Sequence, residues 1–182
     1  MPPQAPYPVF ISSHVIGGFG RGSAELGIPT ANIPPEALMA SAMPKGQTGI
    51  YFGLSKITGT YGTLVRHKAA AEGAPPSNEI VKSTKAIATA DATVLPMVMS
   101  LGWNPFYQNK EPSAEIHIVH KFQEQFYGAD IKIAVLGYIR PESNFVSVEA
   151  LIEEIMNDIR IGKETLALEG YREIAADAFW ES

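Results

Sequence analysis

The chain contains no cysteine. That excludes disulfides, thiolate zinc sites and a cysteine nucleophile, and it leaves the redox compartment open. Also missing is any run of about 18 or more consecutive apolar residues, the length that a membrane-spanning helix needs. Basic clusters are missing as well, because 14 Lys and Arg stand against 19 Asp and Glu for a formal net charge of −5. A nucleic-acid binder needs a positive footprint that displaces counterions from phosphates, so that class is set aside. The opening MPPQAPYPVF carries neither the charged start of a signal peptide nor an arginine-rich transit pattern. The expectation is a soluble monomer with no nucleic-acid or membrane partner, and the cytoplasm is compatible with it.

What is present fits a small enzyme. The 182 residues, 46% hydrophobic and 18% charged, suffice for one domain with its own core over residues 1–182. Strand signals dominate. Val9–Ile16, a short strand opening at Thr30, Thr48–Ile57, Leu95–Trp103, Ser113–Lys121 and Ile131–Ile139 are rich in β-branched and aromatic residues and are bounded by Gly and Pro turns. Pro35 to Met43 has room for one helical turn. Ser147 is an N-cap candidate, and Val148, Leu151, Ile152, Ile155, Met156 and Ile159 follow at helical spacing. That pattern puts Glu153, Glu154 and Asp158 on the wet side of the helix. Residues 66–94 read as a mobile insertion, either a lid or a surface loop, in which AAAEGAPPSNE has loop composition and VKSTKAIATADATV reads as loosely strand-like. Many short strands and one C-terminal helix point to an antiparallel barrel.

The stretch GGFGRGSAELGIPTAN, Gly17–Asn32, sets the function question. Glycines can turn successive backbone N–H groups toward one anion, so Gly18, Gly20, Gly22 and Ser23, helped by Arg21, form a candidate phosphate cradle. A structural loop is the bland alternative. The Walker A pattern fails because Ser23 and Ala24 follow Gly22 where Lys and Ser/Thr are needed, and the dinucleotide fingerprint fails at Ser23. Pro29 favours an extended continuation, which sets the Thr30 hydroxyl and the Asn32 amide oxygen on one face. Two neutral oxygens beside a phosphate cradle suit magnesium, a hard cation that keeps waters and substrate phosphates in its shell. Downstream, AEIHIVH places Glu115 on an otherwise apolar strand. Partial burial would raise its pKa and make it a general-base candidate; a salt-bridged surface glutamate is the alternative. Glu115, His117 and His120 lack the HExxH order of a helical zinc site, so packing or hydrogen bonding is the default for these histidines.

The combination GFGRGSAELGIPTAN resembles the signature of the riboflavin kinases (flavokinases), which phosphorylate riboflavin with ATP to give FMN. The resemblance continues through SLGWNPFY (Ser100–Tyr107), AEIHIVHKF (Ala114–Phe122) and FYGADIKIAVLGYIRPESNF (Phe126–Phe145). It is to the monofunctional eukaryotic type, because no residues remain for an adenylyl-transferring domain. It implies a six-stranded antiparallel Greek-key barrel with a C-terminal amphipathic helix, and ATP and riboflavin as substrates. The implied cofactor is Mg2+, or another divalent metal such as Zn2+. It further implies that Glu115 is the catalytic base, that His120 and Tyr127 lie near the nucleotide, and that Arg140, Ser143 and Phe145 line the flavin pocket. The chain departs from the family at Ala24, where relatives commonly carry lysine, and in the length of the 66–94 connection. A non-catalytic flavin-binding barrel and a kinase for another small alcohol are the competing readings.

Overall fold

The computed structural model describes residues 3–17, 30–74, 77–103 and 112–182. The cradle candidates Gly18, Gly20, Arg21, Gly22 and Ser23 therefore lie outside the described residues, as do Phe106 and Tyr107. The described residues form β1 (Val9–His14), β2 (Thr30–Ile33), α1 (Pro35–Met39), β3 (Gly49–Thr58), β4 (Thr60–His67), β5 (Ser77–Ala86), β6 (Leu95–Trp103), β7 (Pro112–Ile118), β8 (Asp130–Arg140), α2 (Val148–Leu166) and α3 (Glu169–Arg172). Two 3-10 turns, Glu173–Ala176 and Ala178–Glu181, close the chain.

Six strands make one antiparallel sheet in the order β1-β8-β3-β6-β7-β2. The sheet curls until its edges meet, where Ile16, just past β1, bridges Asn32 of β2 and donates its N–H to the Asn32 carbonyl at 2.9 Å. Alternation fills the inside of the curl. One side chain in two points inward, and Ile11, Ala31, Ile33, Tyr51, Met97, Met99, Leu101, Ile116, Ile118, Ile131 and Ile133 fill a single core. The opposite face of the sheet is covered in two places. Ile155 and Ile159 of α2 pack on Ile50 and Val98, while Trp180 packs on Phe52, Leu54, Ala134 and Leu136. The start of α2 is the expected one, because Ser147 Oγ accepts from Ala150 N at 3.1 Å.

Two expectations change. The 66–94 stretch holds a strand that is longer and earlier than its composition suggested: β5 pairs antiparallel with β4, from His67 opposite Ser77 to Thr60 opposite Ala86, while 68–74 and 87–94 lie outside strands. The alternating Asn78, Ile80 and Lys82 carried the strand signal, which the Ala/Gly/Pro tip at 69–76 diluted. The hairpin is seated by a close approach at Gly62, where a Cβ would stand 2.1 Å from the Tyr127 carbonyl oxygen. Asp158 is the second change. It belongs to the α2 face turned to the sheet and is 1% exposed, because a cation, Arg140, waits for it there.

The C-terminal turns are part of the fold. Trp180 is 3% exposed, and its indole N–H donates to the Ile174 carbonyl at 2.7 Å. Trp180→Ala should lower the unfolding free energy by about 3–5 kcal/mol in urea titration. A loss under about 1 kcal/mol would show that the sheet's outer face holds without this cover.

Candidate active site

The sheet register builds the site. On the outer face, directly opposed residues run in one line across five strands: Asn32 of β2, Glu115 of β7, Ser100 of β6, Ile50 of β3 and Arg140 of β8. Neighbouring strands lie about 4.8 Å apart, so Glu115 stands one spacing from Asn32 and three, about 14 Å, from Arg140 along the curl. A second line two residues on runs Thr30, His117, Val98 and Phe52. Thr30 and Asn32 thus share a face with Glu115, as alternation required. All three are partly exposed.

The oxygen pair fits a divalent metal. The Thr30 hydroxyl and Asn32 amide are neutral hard donors, they are half-exposed, and a carboxylate lies on the adjacent strand. Among the described residues no group of three or more His, Cys, Asp or Glu could hold a metal. A cation held by these two oxygens would draw further ligands from water and substrate, the habit of magnesium.

Arg140, Ser143 and Phe145 are brought together at the far end of the line. Arg140 donates from Nε to Asp158 Oδ1 at 3.0 Å and from Nη2 to Oδ2 at 2.7 Å, a bidentate clamp onto α2. Nη1 reaches Ser143 Oγ at 3.3 Å, and the guanidinium lies 5.8 Å from the Phe145 ring centre. Its hydrogen bonds to the Asp158 carboxylate hold the Arg140 pKa above its usual value.

At the opposite end a cavity of about 730 Å³ opens beside Thr30. Its walls include His120, Phe122 and Tyr127 from the segment after β7, and Met156 and Lys163 from α2. His120 and Tyr127 thus join Thr30, although His120 lies beyond the end of β7 at Ile118 and owes its place to a turn and not to strand alternation. Met156 sits at an apolar helical position yet is 53% exposed, which the periodic pattern could not distinguish from a core contact.

Between Thr30 and α2 lies His117, 7% exposed. Burial drives its pKa down to about 4, against the opposing pull of the Asp158 carboxylate. It is a neutral imidazole at working pH and so a poor partner for phosphate charge. Because its folded pKa lies below the ordinary 6.5, the unfolded chain binds the extra proton. The stability tied to neutral His117 is whole above that value and drains away as pH falls toward about 4, on the order of 3 kcal/mol in all. His117→Gln should flatten the dependence of urea midpoints on pH across that window; an unchanged slope would place the titration elsewhere.

A curled antiparallel sheet with hard oxygen donors, a neighbouring carboxylate and a cavity beside them has the make-up of a small β-barrel enzyme. The comparisons narrow the class. The family pattern Flavokinase, described as riboflavin kinase, matches residues 5–166. The riboflavin kinase of Yarrowia lipolytica is 48% identical over 96% of this chain and 88% of its own length. That of Kluyveromyces lactis is 46% identical over 94% and 91%. The crystal structure of riboflavin kinase from Trypanosoma brucei shares the fold at a TM-score of 0.65, with 23% identity over 98% of this chain and 92% of that one. The chain belongs to the riboflavin kinase family.

Proposed function

We propose that this outer face is where the chain, working as one domain over residues 1–182, transfers the γ-phosphoryl group of ATP to the ribityl 5′-hydroxyl of riboflavin, giving FMN and ADP. The observation that carries the reading is the pairing of Asn32 with Glu115, which puts a metal-ligand candidate and a base candidate side by side on one face. Phosphoryl transfer asks little covalent chemistry of a protein; it asks for positioning and for charge stabilisation. The linear order supplies the first. Nucleotide binds at the cavity of His120 and Tyr127, with its phosphates toward the Gly18–Ser23 backbone and Arg21. Riboflavin is held at the Arg140, Ser143 and Phe145 end, and its ribityl chain reaches toward Glu115 around the edge of α2, which covers Ile50 and Val98.

Glu115 accepts the proton of the 5′-hydroxyl as the oxygen attacks the γ-phosphorus. Thr30 and Asn32 would hold the divalent cation, and their hard donor set suits Mg2+. When bound, that cation offsets the negative charge of the β- and γ-phosphates. The pair of partly exposed Arg140 with buried Asp158 fixes α2 against the sheet and keeps the Arg140 Nη1 edge turned to Ser143. Among the described residues no helix is long and apolar enough to cross a membrane, and we place the chain in the cytoplasm as a monomer.

Glu115→Gln should lower kcat by about 10²–10⁴ with the KM for ATP nearly unchanged, measured as FMN formed from riboflavin, ATP and magnesium. Turnover close to wild type would reject Glu115 as the base. Thr30→Ala and Asn32→Ala should each raise the magnesium concentration for half-maximal rate by about tenfold, the loss of one ligand-scale interaction of about 1.4 kcal/mol. An unaltered magnesium dependence in both would remove them as ligands.

A further inference from the structure

The most deeply engaged carboxylate near the cavity belongs to neither substrate's binding set as described above. Asp91 lies in the connection between β5 and β6 and is 1% exposed. Its Oδ2 accepts from the Tyr61 hydroxyl at 2.6 Å and from the Gln123 backbone N–H at 3.0 Å. Its Oδ1 lies 2.9 Å from His120 Nε2. Burial alone would raise the Asp91 pKa, but the bonds from Tyr61, Gln123 and His120 prevail and hold it below the usual carboxylate range. An ionised carboxylate is acceptor only, so the His120 nitrogen facing it must carry the proton. The other ring nitrogen, Nδ1, is then an acceptor whenever the imidazole is neutral.

We propose that Asp91 is a positioning residue for the nucleotide: it fixes His120 in the Nε2–H tautomer and, through Gln123, pins the cavity wall on which His120, Phe122 and Tyr127 stand. Three elements meet on this one side chain. Tyr61 comes from β4, Gln123 from the wall, and Asp91 from the segment that leads into β6. The Tyr61 oxygen also accepts from Ala88 N at 3.0 Å, which ties the Asp91 segment to β4 a second time. The His120 ring, about a quarter exposed, packs edge-on against Phe122 at 4.8 Å between ring centres, and Phe122 packs against Phe126 at 4.5 Å. The ring is therefore held from behind by a charge and from the side by an aromatic, with its remaining edge for the cavity. A carboxylate that orients an imidazole in this way selects its tautomer, and replacing it by an amide of the same shape selects the opposite one.

The proposal rests on the assignment of the cavity to ATP, and its test separates the two. The chain holds four histidines, so nitrogen-15 NMR in alkaline buffer, without substrate, can resolve the tautomer of each. Wild-type His120 should show the Nε2–H form and Asp91→Asn the Nδ1–H form. A wild-type Nδ1–H form, or an even mixture, overturns the proposal whether or not the variant folds. Kinetically, Asp91→Asn should raise the KM for ATP about tenfold, one factor of about 1.4 kcal/mol, and move the KM for riboflavin less than twofold. In a double-mutant cycle with His120→Ala, the second substitution should add nothing to the KM for ATP. Additive effects, or an equal rise in both KM values, would reduce Asp91 to a structural carboxylate. If the cavity does not take ATP, His120→Ala alone leaves the KM for ATP unchanged while the tautomer result stands.

Discussion

The register between β2 and β7 is the constraint on which the rest of the site depends. Asn32 faces Glu115 and Thr30 faces His117 because Ala31 and Ile33, on the alternate positions, are claimed by the core together with Ala114, Ile116 and Ile118. A slip of one residue would turn every polar side chain of these two strands into the core and every apolar one out. The hydrophobic effect thus chooses the register, and the register places the chemistry. No separate device is needed to bring an amide, a hydroxyl and a carboxylate together. The bridge from Ile16 to Asn32 adds a second hold on the same residue, because the Asn32 backbone closes the curl while its side chain faces the site.

The covering elements complete this arrangement from outside. α2 lays Ile155 and Ile159 over Ile50 and Val98, which occupy the middle of the two lines of opposed residues. The helix therefore lies between the cavity at one end and the Arg140 cluster at the other, and it contributes to both. Met156 and Lys163 enter the cavity wall, while Asp158 clamps Arg140. Its apolar stripe and its functional contacts are interleaved on a single surface. Asp158 also exerts its charge on His117, opposing the burial that lowers the His117 pKa.

Much of this was legible in the residues. Leu95–Trp103 is a strand with the bounds its composition suggested, Ser147 caps the long helix, and the i, i+2 placement of Thr30 and Asn32 follows from the pleat alone. Two of the features that could not be read depend on partners distant in the chain. Asp158 looks solvent-facing by helical periodicity because its partner Arg140 lies on a strand 18 residues earlier. Asp91, in an Ala/Thr-rich stretch without pattern, becomes the hub of a network with Tyr61, His120 and Gln123 only once three segments converge. The β4–β5 hairpin was hidden by its small-residue tip, since two-residue alternation over exposed strands is a weak signal beside a run of Ala, Gly and Pro.

The central claim is spatial: phosphoryl donor, base and acceptor are strung along one line of the sheet's outer face. A crystal structure of the chain with a non-hydrolysable ATP analogue, magnesium and riboflavin tests it most directly. The account predicts magnesium in contact with Thr30 and Asn32, and the ribityl 5′-oxygen within about 2.6–3.2 Å of the Glu115 carboxylate, the reach of a general base. Riboflavin bound away from this face, with the 5′-oxygen out of reach of Glu115, would contradict it.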